Sequence, residues 1–339
     1  MKNNSILSLL ISTALLSTCI SSASFANTAS QSSNSTQFIS YWFSWAQGNS
    51  AYQYPNLSDV PKGVNQVFVA FALENENNSG INLQLEDENQ FAQDVATMHK
   101  QGTQVILSSG GATAGYPWDD AQLTDQQVAQ QYITFIKQYN LDGIDFDVEA
   151  GTGSRLPDIV KIIKQQLSNL QISLTIPSSG SAGFTPAMQT LGQALYQENA
   201  LNYVNLMNYD QYWTPPVSQC SYTDTTNNMA NNCYIQNMQA TEAILQDWTN
   251  NATTAKQMLS NGIMIGYADD QKIVTPQLAS AIATWAQQNG YGAVMTWGLN
   301  RDQNATTAGQ NLSMTTGMTG LNPQQYTTTI IQGLTSSNK

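Results

Sequence analysis

The chain has 339 residues, enough for one large domain or two small ones, and its hydrophobic content of 41% supports a sizeable core. Charged residues make up only 10% of the chain, and the net charge is -12. This acidic balance argues against nucleic acid as a partner, because nucleic acid is bound through lysine and arginine, whereas a neutral polymer would be indifferent to it.

The first 26 residues have the pattern of a secretory signal peptide. Lys2 supplies the positive start, and the apolar stretch at residues 6–16 is too short to span a bilayer. Ser24-Phe25-Ala26 fits the small-x-small pattern of a cleavage site. We therefore expect residues 1–26 to be removed and the mature protein to be secreted, either to the exterior or through the periplasm.

A second interpretation of this region is a lipidation box with Cys19 as the anchor, although a threonine directly before that cysteine is unfavourable. Residues 27–36 are rich in serine, asparagine and threonine and are expected to form a disordered lead. The folded domain is then residues 37–339. No segment of it is apolar enough to be transmembrane, so we expect no membrane contact once the signal is gone.

Strand-like and helix-like segments alternate along this domain. Eight candidate strands occur at Phe38–Trp42, Gln66–Leu73, Gln104–Ser108, Gly143–Glu149, Ile172–Pro177, Tyr203–Met207, Ile263–Tyr267 and Gly292–Trp297. Helical patterns occur at Glu88–Lys100, Thr124–Tyr139, Pro157–Leu170, Pro186–Glu198, Thr241–Met258, Pro276–Gln288 and Gln324–Leu334. Eight such alternations without a break in composition predict a single (β/α)8 barrel, an α/β fold whose chemistry lies at the carboxyl ends of its strands.

The fourth candidate strand carries a pattern of alternating acids and hydrophobes. Its acidic face holds Asp145, Asp147 and Glu149, and its apolar face holds Ile144, Phe146 and Val148. Neighbours on one face lie roughly 6.5 Å apart, so the three carboxylates raise one another's pKa. Clustered carboxylates with raised pKa values are what a general acid/base needs near neutral pH. Asp142 either begins this strand or serves as a turn residue before Gly143.

Two other interpretations of the acidic strand remain open. It could be a solvent-facing polar strand, but such a face would be expected to mix charges and this run contains no lysine or arginine. It could also hold a hard cation, since such ions bind clustered carboxylates. No histidine or further acid lies close by in the sequence, so we expect no metal.

Four segments together carry a resemblance to a known family. Asp142–Glu149 resembles the DxxDxDxE signature of family 18 glycoside hydrolases, the chitinases. Residues 108–111 resemble the SxGG motif of their third strand, and residues 207–210 resemble the MxY[DN] motif of the sixth. Residues 295–297 resemble the strand-eight segment whose tryptophan forms the floor of the sugar site. The four matches have the family's order and spacing and span residues 38 to about 302.

The resemblance implies a role for each acid. Glu149 is expected to be the general acid/base. Asp147 is expected to orient the 2-acetamido group of the substrate and to stabilise the positive intermediate, while Asp145 lies below it and shares its proton. Tyr209 is expected to donate its hydroxyl to the acetamido carbonyl, with Asp210 binding nearby.

The resemblance also implies a set of substrate-binding residues. Trp297 should stack on the sugar at the cleavage point, and Tyr41 and Ser108 should hydrogen-bond Asp145 from neighbouring strands. The full expected set is Trp297, Asp210, Met207, Tyr41, Ser108, Gly110 and Gly111. Further candidates for stacking on sugars are Trp42, Trp45, Tyr116, Trp118, Trp213 and Tyr267, which the sequence alone does not separate from core residues.

Cysteine and histidine usage limits the remaining chemistry. Cys220 and Cys233 are left once the signal is removed, and an even number in an exported protein predicts one disulfide; their spacing fits no metal motif. His99 is the only histidine in the chain, and its position in a predicted surface helix indicates a structural role. This excludes a histidine-based catalytic triad and a histidine-ligated metal site, and we expect no cofactor.

The function implied is a secreted, monomeric chitinase that cleaves β-1,4-linked N-acetylglucosamine by a retaining, substrate-assisted mechanism. Many deep-tunnel relatives insert a small α+β domain after strand seven, whereas here about eight residues separate Tyr267 from Pro276. This implies a shallow groove and endo cleavage. Two alternatives stay open: an endo-β-N-acetylglucosaminidase acting on N-glycans or peptidoglycan with the same residues, and a chitin-binding lectin, although such lectins usually lack the terminal glutamate.

Overall fold

The computed structural model describes residues 35–74, 80–112, 116–210, 220–223 and 229–336. The expected signal peptide, the alternative lipid anchor at Cys19 and nearly all of the expected lead lie outside these residues. Thr36, the last residue of that lead, is buried, and its hydroxyl donates to the Tyr291 carbonyl at 2.7 Å. In the described part of the chain, no helix combines the length and apolar character needed to cross a membrane.

Eight parallel strands close into a barrel. The strands in chain order are β1 (Gln37–Phe43), β2 (Gln66–Glu74), β3 (Ile81–Asn82), β4 (Gln104–Gly110), β5 (Gly143–Asp147), β6 (Gln171–Pro177), β7 (Tyr203–Met207), β8 (Leu259–Met264), β9 (Gly266–Tyr267), β10 (Ile273–Val274) and β11 (Ala293–Trp297). The order around the barrel is β1-β11-β8-β7-β6-β5-β4-β2, and pairing of β1 with β2 closes it. Short strands β3, β9 and β10 lie outside the barrel ring and pair antiparallel. The predicted (β/α)8 fold is confirmed.

Helices follow the barrel strands and cover the outside of the sheet. They are α1 (Glu88–Gln101), α2 (Asp125–Tyr139), α3 (Leu156–Gln166), α4 (Pro186–Gln197), α5 (Cys233–Thr249), α6 (Ala252–Met258), α7 (Pro276–Asn289) and α8 (Gln325–Thr335). The predicted capping box of α2 is present: the Thr124 side chain accepts from the Gln127 amide, and Gln127 accepts from the Thr124 amide.

The strands divide the core into two layers, because alternate residues point to opposite faces of a sheet. Ile144, Phe146 and Val148 point outward and belong to the large apolar cluster between sheet and helices. The inward side chains form a smaller cluster that includes Tyr41 and Met207. The apolar face predicted for the acidic strand is therefore buried against helices, and the acids of that strand point into the barrel.

The seventh barrel strand does not lie where the sequence predicted it. The prediction was Ile263–Tyr267, whereas β8 is Leu259–Met264 and Tyr267 belongs to the separate hairpin of β9 and β10. The error arises because β8 contains Ser260, Asn261 and Gly262, which interrupt the apolar pattern yet are buried.

The helix predicted before this strand, Thr241–Met258, is in fact two helices. α5 begins eight residues earlier, at Cys233, where the Asn232 side chain accepts from the Tyr234 amide. It ends where Asn250 adopts the left-handed conformation at φ 49°, and Asn251 then caps α6. Two consecutive asparagines thus stop one helix and start the next, as their preference for caps allows.

The predicted disulfide is present between Cys220 and Cys233. It joins the connection after β7 to the first residue of α5. Next to it, the Ser221 carbonyl accepts from the Cys233 amide at 3.0 Å. The bond therefore fixes the end of the long connection that follows the strand carrying Met207.

We expect replacement of both cysteines by serine to lower the free energy of unfolding by about 3 kcal/mol, because the bond closes a loop of 13 residues' separation and confines the unfolded chain. Urea denaturation of the variant and of reduced wild type should give matching losses. Alkylation of the exported protein without reductant should leave Cys220 and Cys233 unlabelled. Two labelled thiols there would rule out the bond.

Candidate active site

Asp145 lies in the middle of the barrel, surrounded by donors from four other strands. The donors are the hydroxyls of Tyr41, Ser108, Ser173 and Thr175, each at 2.8 Å, and the Asn205 amide at 3.3 Å. The two bonds expected from Tyr41 and Ser108 are thus present, and both residues are fully buried. Burial raises the pKa of Asp145, and the hydroxyl donors oppose that rise because they stabilise the carboxylate.

The acidic strand is shorter than predicted. β5 ends at Asp147, and beyond that residue the Val148 amide still donates to the Thr175 carbonyl at 2.9 Å. Glu149 therefore lies beyond the strand, at the carboxyl-end mouth of the barrel, where it is partly exposed. The three acids run from the barrel interior outward, from Asp145 to Asp147 to Glu149.

Asp147 is a buried carboxyl with an unused acceptor. Its Oδ1 atom is buried and has no hydrogen-bond partner among the described residues. Burial, followed by the charges of Glu149 and Asp145, raises its pKa well above the ordinary value. The resemblance implies a proton shared between Asp145 and Asp147, but no hydrogen bond joins these two described side chains. The donors already on Asp145 favour its charged form, which leaves the proton with Asp147.

Glu149 has the electrostatics of a proton donor at neutral pH. Burial and then the negative charge of Asp210 raise its pKa from 4.5 to about 7. The pKa of Asp210 is itself raised to about 6, by burial and by the charges of Asp269 and Asp270. Asp210 is held at φ 54°, and its Oδ1 accepts from the Asp269 amide at 2.9 Å. A carboxyl with a pKa near 7 can both give and take a proton.

Tyr209 contributes a hydroxyl that faces the acids. Burial and the charges of Asp147 and Glu149 raise its pKa well above 10, so it stays protonated. Its hydroxyl makes no hydrogen bond to any other described residue. Met207, two residues earlier, is buried in the barrel cluster beside it. Tyr209 can therefore donate one hydrogen bond to a group placed between it and the acids.

Gly110 and Gly111 let β4 and the acidic strand approach each other. They have φ values of 120° and 92°, which favour glycine. A Cβ on Gly110 would lie 2.0 Å from the Asp147 carbonyl oxygen, and one on Gly111 would lie 2.7 Å from the Phe71 ring. Both glycines are buried, so the structure gives them a role in shaping the site around Asp147 and Phe71.

Four aromatic side chains, which we call the aromatic platform, lie at the carboxyl ends of β1, β2 and β11. They are Phe43, Trp45, Phe71 and Trp297. Phe71 stacks on Trp297 with centroids 5.6 Å apart, and Phe43 stacks on Trp45 at 4.6 Å. Tyr41 supports the Trp297 ring edge-on at 5.1 Å. Trp45, Phe71 and Trp297 are partly exposed, so they offer flat apolar surface at the mouth of the barrel.

The structure separates the other candidate aromatics. Trp42 and Trp118 are fully buried core residues. Tyr116 is 8% exposed and donates to the Gly111 carbonyl at 2.8 Å. Burial and then the charge of Glu149 raise its pKa. Tyr267 is partly exposed on the β9–β10 hairpin, and Trp213 lies outside the described residues. Of the five candidates within the described residues, Trp45 alone joins the platform.

His99 has the structural role that its position in the sequence indicated. Its Nε2 lies 2.9 Å from Asp142 Oδ2, and the same oxygen accepts from the Val105 amide at 2.7 Å. The hydrogen bond with Asp142 raises the pKa of His99. This pair ties α1 to the amino end of β5, at the opposite end of the strand from Glu149.

Comparison with known proteins identifies the family. The model for glycosyl hydrolases family 18 matches residues 37–272, more than half of the chain. The chain belongs to glycosyl hydrolase family 18. The resemblance that the sequence motifs carry is therefore confirmed.

Individual relatives of this family 18 barrel are distant. A chitinase from Enterococcus faecalis is 30% identical over 158 residues, which cover 42% of this chain and 44% of that protein. Chitinase D from Niallia circulans is 29% identical over 126 residues, covering 35% of this chain and 23% of that protein. The matched segments thus span less than half the length of these curated relatives.

The solved structures match over a larger share of the fold. Active domain 2 of a chitinase from Pyrococcus furiosus, in crystal structures of catalytic-site mutants complexed with chito-oligosaccharides, has a TM-score of 0.73. The match covers 90% of this chain and 97% of that one at 21% sequence identity. At this identity the likeness supports the barrel fold.

Several residues of this family 18 site escaped the sequence analysis. Ser173 and Thr175 alternate with isoleucine and leucine in β6, so the period of two could have shown that they point inward. Phe71 lies within the apolar run of β2, and nothing in that run distinguishes it from a core residue. Arg301 is fully buried four residues after Trp297, and its guanidinium donates to the Tyr267 and Thr315 carbonyls at 2.9 and 3.1 Å. No local pattern in the sequence distinguishes it.

Proposed function

We propose that this family 18 enzyme hydrolyses the β-1,4 bonds of chitin as a secreted monomer. The observation that carries the proposal is the arrangement around Glu149: a partly exposed carboxyl with its pKa raised to about 7, next to buried Asp147 and the free hydroxyl of Tyr209. The aromatic platform lies at the same mouth of the barrel. Flat apolar sugar faces pack on aromatic rings, so Trp297 would hold the sugar at the cleavage point.

In the first step, Glu149 protonates the oxygen that leaves the scissile bond. The substrate's own acetamido oxygen attacks the anomeric carbon, so no enzyme nucleophile is needed; family 18 is a recognised exception to the two-carboxylate retaining template. The raised pKa of Glu149 keeps the proton available near neutral pH. The products of this step are a free leaving chain and a cyclic cation that includes the acetamido group.

Asp147 and Tyr209 would hold the acetamido group during this attack. The unpartnered Oδ1 of Asp147 is placed to accept the acetamido N–H, and the Tyr209 hydroxyl can donate to the acetamido oxygen. As positive charge develops on the cyclic cation, Asp147 can give its proton to the Asp145 carboxylate, which leaves the negative charge on Asp147 beside the cation. Orientation by fixed groups is a large part of such rate enhancement.

In the second step, water opens the cyclic cation with Glu149 as base. Glu149 lost its proton in the first step and can now take one from the water. Water enters on the face that the leaving chain vacated, so the configuration at the anomeric carbon is retained. Asp210 and the other substrate-binding residues named from the sequence keep their expected roles as part of this proposal.

Endo cleavage and export are supported by further features. Between β8 and α7 the chain forms only the hairpin of β9 and β10, so no domain is inserted there to wall the groove. A chain could then enter sideways rather than from its end. The signal-like first 26 residues and the disulfide fit an exported protein.

Parallel release assays on colloidal chitin, an N-glycoprotein and peptidoglycan would test the substrate. We expect soluble N-acetylglucosamine oligomers from chitin at a rate well above release from the other two. Faster release from N-glycoprotein or peptidoglycan would instead favour an endo-β-N-acetylglucosaminidase. Tight binding to chitin with no release from any substrate would favour a lectin.

A further inference from the structure

A groove on the outer side of the barrel lies apart from the acids. It runs along α7, with one wall from α8 and one end at Met229, and has a volume of about 610 Å3. That volume falls within the range of small-molecule pockets. Its lining extends from Pro276 to Gln288, which is about 18 Å along the helix at 1.5 Å per residue. The groove is therefore long enough for several sugar rings.

The floor of the groove is apolar and firmly supported. Trp285 is partly exposed in the groove and stacks on Tyr291 at 5.4 Å between centroids. Tyr291 is 2% exposed, and its hydroxyl donates to the Glu242 carboxylate. The Lys256 ammonium lies over the Tyr291 ring, 5.4 Å from the ring centre. The Trp285 ring is thus held in place before any ligand arrives, which limits the entropy lost on binding.

The walls offer hydrogen bonds without charge. Gln277, Ser280 and Gln288 line the groove, and their side chains make no hydrogen bond to any other described residue. None of the lining residues is charged, although the whole chain has a net charge of -12. A flat indole ring flanked by free amides and a hydroxyl matches a neutral ligand that has apolar faces and many hydroxyl or amide groups. A strongly charged peptide or a phosphate would meet no side chain of opposite charge in this groove.

The groove also opens toward the catalytic end of the barrel. α7 and α8 each begin on the side where the preceding barrel strand ends, so Pro276 and Gln325 mark the rim of the face that carries Glu149. From that rim the groove runs down the side of the barrel. A polymer surface that touches the catalytic mouth can therefore touch this groove on the same molecule.

We propose that the groove along α7 is a second, non-catalytic binding site for a strand of neutral N-acetylated polysaccharide. It rests on the proposed function for the identity of the polymer. Trp285 stacks against one sugar face, and Gln277, Ser280 and Gln288 bind hydroxyl and acetamido groups. The site keeps the enzyme on insoluble polymer while the catalytic groove releases and rebinds single strands.

The test uses the full mature chain carrying Glu149→Gln, with microcrystalline chitin as the probe. Ala281→Arg places a long side chain in the groove at a partly exposed helix position, and Ala96→Arg is the matched control on an exposed position of α1. We expect Ala281→Arg to weaken partition onto chitin by roughly fivefold or more, with Ala96→Arg unchanged. Trp285→Ala should show the same loss, with its melting temperature recorded because Trp285 packs on Tyr291.

In the background with Glu149 intact, Ala281→Arg should slow release from insoluble chitin and leave turnover of soluble chitohexaose unchanged. Equal chitin binding by Ala281→Arg and Ala96→Arg would overturn the proposal while the proposed function stands. A change of oligomeric state in Ala281→Arg on size-exclusion chromatography would overturn it in favour of a second copy of the chain. Failure of wild type to bind or cleave chitin would remove the proposed function and this site with it.

Discussion

Glu149→Gln should reduce chitin turnover by at least about 10²- to 10⁴-fold, the usual contribution of a general acid/base. The amide keeps the shape of the side chain but can neither give a proton to the leaving oxygen nor take one from water. Affinity for a chitin oligomer should persist, because stacking on Trp297 and hydrogen bonds from Tyr209 do not involve the lost proton. Turnover of wild type should fall as the pH rises through about 7, where Glu149 loses its proton.

The same variant should not be less stable. The folded pKa of Glu149, about 7, lies above its ordinary value of 4.5, so the native state binds this proton more tightly than the unfolded state does. The charged carboxylate therefore destabilises the fold fully above about pH 7 and not below about pH 4.5. Glutamine removes this effect, so the melting temperature at about pH 8 should be equal or higher. Glu86→Gln, at an exposed position, is the matched control. Near-normal turnover in Glu149→Gln would remove this residue as the acid.

Asp147→Asn should slow turnover by roughly 10²-fold, the size of effect seen when one preorganised electrostatic group is removed from a transition state. The amide can still accept from the acetamido N–H through its oxygen, but it cannot transfer negative charge toward the cyclic cation. Michaelis constants should change much less than turnover, because the loss arises as charge develops. Steady-state kinetics on a soluble chitin oligomer would give both values.

The pH profile adds a second readout for this variant. Glu149 and Asp147 are electrostatically coupled, because the charge of Glu149 raises the pKa of Asp147, so removal of the titrating group at Asp147 should shift the pH–rate profile. Asp247→Asn on the exposed face of α5 is the matched control and should leave profile and rate unchanged. An unshifted profile together with a wild-type rate would show that Asp147 takes no part in the chemistry.

Most of the fold was predictable because the physical signals are local. Apolar runs bounded by polar turns identified seven barrel strands, and Thr124 with Gln127 located the start of α2. The seventh barrel strand, β8, was misplaced because the polar Asn261 is buried on its outer face, beside α5, where it accepts from Asn208 at 2.6 Å. A buried polar residue satisfied by a partner 53 positions away leaves no periodic signal in its own segment.

The acids of the site were predictable for a different reason. A period of two places Asp145 and Asp147 on one face whatever the rest of the chain does, and the strand's apolar face requires them to point inward. The aromatic surface was not predictable, because exposure of an aromatic ring depends on its neighbours. Trp118 and Trp45 both follow strand ends, yet the first is core and the second joins the platform. Phe71 joins the platform because β1 lies between β2 and β11 in the barrel. This order brings Phe71 of β2 against Trp297 of β11.

The measurement that tests the account most directly is NMR of the first products released from a fully N-acetylated chitin oligomer, with a fully deacetylated oligomer in parallel. Attack by the substrate's own acetamido oxygen, assisted by Asp147 and completed by Glu149, predicts that the new reducing ends appear first as the β-anomer and that the deacetylated oligomer is not turned over. Initial α-anomer, or equal turnover of both oligomers, would contradict the mechanism.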